Sequence, residues 1–93
     1  MKIEPKAEIY SNLGEAYKEL SRFDEAFQSF DKAIATDKTN IVSYCNRAQL
    51  NLKKGNKQNA MVDLKEVDLL IKDPNNTKDL KEATINYIKG SVK

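Results

Sequence analysis

The chain has 93 residues with a formal net charge of +2, of which 40% are hydrophobic and 32% are charged. That length allows one small domain. Because it contains one cysteine and no histidine, we expect no internal disulfide, no metal site, no cofactor and no enzymatic activity. Three glycines and two prolines leave little material for a phosphate-binding loop or an all-β fold.

Two helices are predicted in the first part of the chain, because apolar residues recur there at steps of three and four. The first helix carries an apolar stripe of Ile9, Leu13, Ala16, Tyr17 and Leu20. Ser21-Arg22 interrupts this pattern, and Asp24 is expected to be the N-cap of the next helix. The second helix carries Ala26, Phe27, Phe30, Ala33 and Ile34.

Three further helices are predicted after the break at residues 37–40. The third ends at Lys53-Lys54-Gly55, where glycine allows a left-handed residue and the lysines meet the negative end of the helix dipole. The fourth is closed by Asp73-Pro74, and the fifth runs from about Thr77 to Lys89.

The chain repeats itself after 34 residues, which pairs Tyr10 with Tyr44, Asn12 with Asn46, and Ala26 with Ala60. The predicted domains are a lead-in at 1–6, two repeat units at 7–40 and 41–76, and a capping helix at 77–93. Small residues are expected where paired helices cross, because larger ones would force the helices apart. These residues are Gly14, Ala26, Ala48 and Ala60.

At these spacings the sequence resembles the tetratricopeptide repeat family, whose helix–turn–helix unit has 34 residues. The first unit carries the resemblance through Tyr10, Leu13, Gly14, Tyr17, Ala26, Phe30 and Ala33. The second carries it more loosely through Tyr44, Ala48, Gly55, Ala60, Leu64 and Val67. Lys38 stands where the family has proline, and Asn51 where it has tyrosine. The resemblance implies an all-α, right-handed solenoid of antiparallel helix pairs with five helices; the competing interpretation is an unrelated five-helix bundle.

The resemblance also implies a non-enzymatic module, part of a larger protein or assembly, that holds a partner peptide or helix in a concave groove lined by the first helix of each unit. The groove residues that it implies are Glu8, Ser11, Asn12, Glu15, Glu19, Val42, Cys45, Asn46, Gln49, Lys53, Lys78, Lys81 and Glu82. Asn12 and Asn46 would form a ladder of amides for an extended ligand, or they are simply solvated. Cys45 is a small groove or core residue.

A narrower hypothesis is capture of the acidic tail of a heat-shock chaperone, as in the co-chaperone branch of the family. That branch uses lysine, asparagine and arginine as a clamp for two carboxylates. The corresponding residues here are Ser11, Glu15, Asn46, Lys78 and Glu82. Two of these are acids, which would repel a ligand carboxylate.

The summed charges run from −3 over residues 7–40 to +2 over 41–76 and +2 over 77–93. A partner that is basic at one end would therefore be steered favourably. The cations alternate with acids, which is typical of a solvated surface and argues against nucleic acid as a partner. No segment resembles a secretory signal or a membrane span, so we expect a cytoplasmic location and no membrane partner.

A second apolar strip is predicted on the fifth helix, formed by Ile85, Ile88 and Val92. A terminal cap normally turns a polar face outward, so this strip predicts association with a partner, a further repeat or a second copy of the chain. The alternative function is therefore a homo-oligomerising assembly domain. In the other interpretation, the strip merges with the buried face of the helix.

Overall fold

The computed structural model describes residues 6–77, and their side chains as far as residue 76. This part of the chain is helical: α1 spans Ala7–Glu19, α2 Phe23–Thr36, α3 Ile41–Lys53, α4 Lys57–Ile71 and α5 Pro74–Thr77. Helices α1 and α2 form one antiparallel pair and α3 and α4 the next, with α2 packed against α3. The all-α prediction of paired helices is confirmed. The predicted divisions at 1–6, 7–40, 41–76 and 77–93 stay predictions.

Both helix pairs turn through the same hydrogen-bonded motif. After α3, the N–H groups of Gly55 and Asn56 donate to the carbonyls of Leu52 and Asn51 at 3.1 and 2.8 Å. Gly55 has φ +81°, and its repeat equivalent Ser21 has φ +60°. This left-handed residue is strained for serine but not for glycine. The glycine stop was therefore predicted correctly, and the first unit makes the same turn without glycine.

The start of α2 differs from the sequence prediction. Helix α2 begins at Phe23 after Arg22, so Asp24 lies inside the first turn and is not the N-cap. A carboxylate there still interacts favourably with the positive end of the helix dipole. A short helix, α5, follows at Pro74–Thr77; proline suits the first helical position, and the Asp73 carboxylate accepts from the Asn75 N–H at 3.0 Å. The helix predicted from about Thr77 to Lys89 lies outside the described residues.

The core consists of two clusters, each of which joins residues of both repeats. Ala26 and Phe30 of the first pair are buried with Leu50 of α3, covered by Tyr17, Phe23 and Phe27. Ile41, Tyr44, Cys45 and Val67 form the second cluster, which is packed by Ile34 of α2. Because Leu50 and Ile34 each reach into the other repeat's cluster, the two helix pairs bury apolar surface together and stabilise one another.

The small residues expected at the helix crossings are buried. Ala26, Ala48 and Ala60 are buried, and so is Gly14. A Cβ added to Gly14 would lie 2.6 Å from the Phe30 ring, so only glycine fits here. In the second unit the equivalent pair is Ala48 and Leu64. Alanine there is larger than Gly14, and leucine is smaller than Phe30.

The apolar stripe of α1 is in large part exposed. Ile9, Leu13 and Leu20 are 57%, 43% and 66% exposed. They lie about 100–140° around α1 from Gly14, whose side contacts α2, and they are exposed in the described part of the chain. Among the other predicted structural residues, Ala33, Tyr44 and Val67 are buried. Tyr10, Tyr17 and Leu64 are half-buried.

Candidate functional site

The first helix of each pair contributes to one surface, which we call the α1–α3 face. Asn12 lies two residues before Gly14, about 200° around the helix, so its side chain is turned away from α2. Glu8, Glu15 and Glu19 follow the same side of α1 at helical spacing. Helix α3 contributes Gln49 and Lys53. Asn12, Glu8, Glu19 and Lys53 are exposed, while Glu15 and Gln49 are half-buried.

A polar network connects α1 to α3 beneath this face, with Asn46 at its centre. The Lys18 ammonium donates to the Asn46 side-chain carbonyl at 2.7 Å and to that of Gln49 at 3.5 Å. The Asn46 amide in turn donates to the Glu15 carboxylate at 3.2 Å and to the Val42 carbonyl at 3.0 Å. The network therefore links a cation and an anion of α1 to neutral amide side chains of α3.

Three predicted groove residues are buried rather than displayed on the face. Ser11, Cys45 and Asn46 are 4%, 0% and 3% exposed. Asn46 is covered by its hydrogen-bond partners on α1, and Cys45 belongs to the core cluster with Val67 of α4. The equivalent asparagines therefore differ: Asn12 is exposed, whereas the side chain of Asn46 is buried and makes all its hydrogen bonds within the protein. Val42 is half-buried and packs against the second core cluster. The exposed part of the ladder is thus Asn12 alone.

The predicted residues of the fifth helix lie outside the described part of the chain. These are the groove residues Lys78, Lys81 and Glu82 and the association strip Ile85, Ile88 and Val92. Their roles stay predictions.

Cys45 belongs to the core and has none of the surroundings of a reactive thiol. It packs with Ile41, Tyr44 and Val67. Burial raises the pKa of the Cys45 thiol to about 12, and the nearby Asp63 carboxylate acts in the same direction. The thiol is therefore protonated at neutral pH and is a poor nucleophile.

Lys18 is a member of the face that the sequence analysis missed. Its only sequence signal is its position three residues after Glu15 on the same helix. The equivalent residue in the second unit is the apolar Leu52, so the repeat pattern gave no reason to select it. Its role becomes visible only when α1 and α3 are placed side by side.

Charged side chains of α3 fix α2 and α4 around the site. The Arg47 guanidinium binds both oxygens of the buried Asp63 carboxylate at 2.9 and 2.7 Å and reaches Asp31 of α2 at 2.8 Å. These carboxylates raise the pKa of Arg47, so it stays charged. Lys54 pairs with Asp24 at 3.2 Å. The pairs orient α3 against both neighbouring helices.

The Lys53 side chain of the α1–α3 face contacts an aromatic ring of α2. The Lys53 ammonium lies 5.2 Å from the centre of the Phe23 ring, a cation–π geometry. Together with the internal engagement of Lys18, this leaves the α1 side of the face dominated by Glu8, Glu15 and Glu19. The acidic character that the sequence predicted for the first unit is therefore present on this surface.

The described part of the chain contains neither a candidate metal site nor a candidate membrane-spanning helix. Within residues 6–76, no cluster of histidine, cysteine, aspartate or glutamate side chains is arranged to hold a metal ion. Among the described helices, none is both long and apolar enough to cross a membrane.

Comparison with known proteins agrees with this architecture. The sequence matches two tetratricopeptide repeat models, one over residues 7–40 and the other over residues 41–74. It is also 32% identical over 97 aligned positions to a "DnaJ homolog subfamily C member 7 homolog" of Dictyostelium discoideum. That alignment covers 96% of this chain and 18% of the relative. No solved structure matches the chain. With both repeats matched and both helix pairs in place, the chain belongs to the tetratricopeptide repeat family, whose repeats form protein–protein interaction modules.

Proposed function

We propose that the α1–α3 face holds a segment of a partner protein. The observation that supports this most directly is the contrast between the two sides of α1 and α3. One side is buried against α2 and α4, while the other presents Asn12, Glu19 and Lys53 to solvent. Polar side chains along the first helices of stacked repeats suit recognition of a peptide backbone and its charged groups.

The network around Asn46 supports the same proposal. It fixes α1 against α3 by side-chain hydrogen bonds as short as 2.7 Å, so the face is organised before a partner arrives. A preorganised surface loses less conformational entropy on binding than one that must order itself. Recognition would therefore rest on side chains that already have defined positions.

The experiment is a selection of random peptides displayed on phage, followed by affinity measurements on matched variants. Asn12→Arg places a long cation on the α1–α3 face. Gln28→Arg places the same side chain on the outward side of α2, where Gln28 is exposed. We expect selected peptides to lose at least about tenfold in affinity, about 1.4 kcal/mol, with Asn12→Arg and to bind Gln28→Arg normally. Equal affinity for both variants would refute the proposal.

A second candidate is a co-chaperone role with capture of an acidic tail, which the name of the Dictyostelium relative favours. The chain spans 18% of that relative, so the role of the whole protein is carried over here only as a proposal. The Glu15 carboxylate lies where the clamp has an asparagine and already accepts from Asn46. A pull-down with a peptide that ends in several acidic residues tests this candidate, and failure to retain the chain would remove it.

The third candidate is self-association, which the exposed stripe of Ile9, Leu13 and Leu20 on α1 supports. The predicted strip of Ile85 and Ile88 would take part. Sedimentation of the wild type beside the double variant Ile85→Asp/Ile88→Asp measures the mass in solution. A monomeric wild type would remove the candidate, and an equal oligomeric mass of both proteins would remove the strip from it.

A further inference from the structure

We propose that Glu15 sets the charge preference of the α1–α3 face, so that the face binds basic peptide segments and disfavours acidic ones. This inference rests on the function proposed above and names the chemical class of the partner. It depends on which hydrogen bonds of the buried network are already made, and on which charges remain at the surface.

The Asn46 amide has no hydrogen left for a ligand. A side-chain amide carries two N–H donors, and here one is given to the Glu15 carboxylate and the other to the Val42 carbonyl. Its oxygen accepts from Lys18. A ligand carboxylate could reach this amide only by displacing the carboxylate of Glu15. The two anions would repel each other in a partly desolvated site, which disfavours an acidic ligand.

Lys18 does not offset this effect, because its ammonium is turned into the network. It donates to the carbonyl oxygens of Asn46 and Gln49, and its side chain is half-buried. A ligand carboxylate would have to draw Lys18 away from both. Asn46 is 3% exposed, so its oxygen would then be left without a donor, at an energetic cost.

The charge that remains accessible on α1 is negative. Glu8 and Glu19 are exposed, and Glu15 is half-buried between them along the same side of the helix. Lys53 of α3 is exposed and stays cationic near the Phe23 ring, so the negative charge of the face lies along α1 and its positive charge at the end of α3. A peptide segment with lysine or arginine side chains would therefore pair with carboxylates along α1. Glu15 lies in the middle of this row, and the Asn46 amide holds its carboxylate in position. Such partly exposed pairs favour one charge class of ligand over the other.

The test compares two fluorescein-labelled peptides of equal length, built of glycine and serine with either lysine or glutamate at every third position. Fluorescence anisotropy gives the affinity of each peptide for the wild type, for Glu15→Gln and for Glu25→Gln. Glu15→Gln removes the charge but keeps an oxygen that can accept from Asn46. Glu25→Gln is the matched control on α2, where Glu25 pairs with the exposed Arg22. Amide shifts in a two-dimensional nitrogen–proton NMR titration locate the bound peptide.

We expect the wild type to prefer the lysine peptide, and added salt to weaken that binding because the contacts are near the surface. Glu15→Gln should lower the affinity for the lysine peptide about fivefold, the loss of one partly exposed ion pair, and raise that for the glutamate peptide. Glu25→Gln should change neither.

Three outcomes would overturn the inference. If the wild type does not bind the lysine peptide, or binds both peptides equally, the charge preference does not exist. If the lysine peptide shifts α1 and α3 amides but Glu15→Gln has no effect, Glu15 does not set the preference, although the face still binds peptides. If the shifts map to α2 and α4 instead, the proposed function fails together with the inference.

Discussion

The contact between Gly14 and Phe30 gives the sharpest test of how the sequence specifies the packing of α1 on α2. An ideal Cβ on Gly14 would lie 2.6 Å from one carbon of the Phe30 ring and 2.8 Å from two more. Gly14→Ala should therefore force the ring or the helix to move. Overpacking of this kind costs about 1–3 kcal/mol, while alanine gains about 1 kcal/mol over glycine in a helix interior. We expect a net loss of stability of up to about 2 kcal/mol.

The sign of the effect should reverse when Phe30 is made smaller. The second unit shows the alternative arrangement, since it has Ala48 and Leu64 at the equivalent positions. In a protein that carries Phe30→Leu, the space next to Gly14 is open and the helix-propensity gain of alanine is no longer opposed. Gly14→Ala should then stabilise by up to about 1 kcal/mol. Residues in direct contact are expected to show such non-additivity.

Urea denaturation followed by circular dichroism at the helix band measures all four proteins of this double-mutant cycle. A difference of 1 kcal/mol shifts the thermal midpoint of a domain of this size by about 4–8 °C, so heating provides a second readout. If Gly14→Ala stabilises the wild type by as much as it stabilises the Phe30→Leu protein, the ring does not restrict this position and the packing argument is wrong.

Three further predictions concern the turns, the buried ion pair and the buried thiol. Ser21→Gly should stabilise the fold by about 1 kcal/mol because φ is +60° there, and Gly55→Ser should destabilise it by a similar amount because φ is +81°; urea midpoints that move the other way would contradict this. Arg47→Met leaves the buried Asp63 carboxylate unpaired and should lower the free energy of unfolding by about 3 kcal/mol. Adding Asp63→Leu should restore part of this loss. Equal stability of the single variant and the wild type would refute a stabilising role of the ion pair. Because the pKa of Cys45 is raised from about 9 to about 12, the unfolded chain releases the thiol proton first, so stability should fall between pH 9 and pH 12, by at most about 1.4 kcal/mol per pH unit. A Cys45→Ala variant should show a shallower fall over the same range, and identical slopes would show that the thiol does not titrate as inferred.

Much of the fold could be predicted from the sequence because the signals are local or periodic. The spacing of apolar residues identified the helices, and the 34-residue shift placed Ala26 and Ala60 at equivalent buried positions. Gly55 ended α3 as expected, since a left-handed residue is a property of the turn itself. The error at Asp24 is a shift of one helix end by two residues, from Asp24 to the N-cap Arg22, because helix ends depend on weak capping preferences.

The candidate site was predicted less completely, because burial on a helix depends on which neighbour is present. The same apolar periodicity that buries Ala26 and Phe30 in α2 leaves Leu13 and Leu20 exposed in α1. Periodicity defines an apolar face but does not say what covers it. Likewise, the repeat register assigned Asn46 to the groove but could not show that its amide is buried and already engaged.

The sequence by itself determined the helix pairs, their register and the small residues at their crossings, because each follows from the chemistry of residues a few positions apart or one repeat apart. Only the tertiary structure decided that Lys18 and Glu15 engage Asn46 and that Arg47 binds Asp63, since these partners come from different helices, 16 to 31 residues apart. Such contacts depend on the separation and rotation of whole helices, which the packing of the core sets.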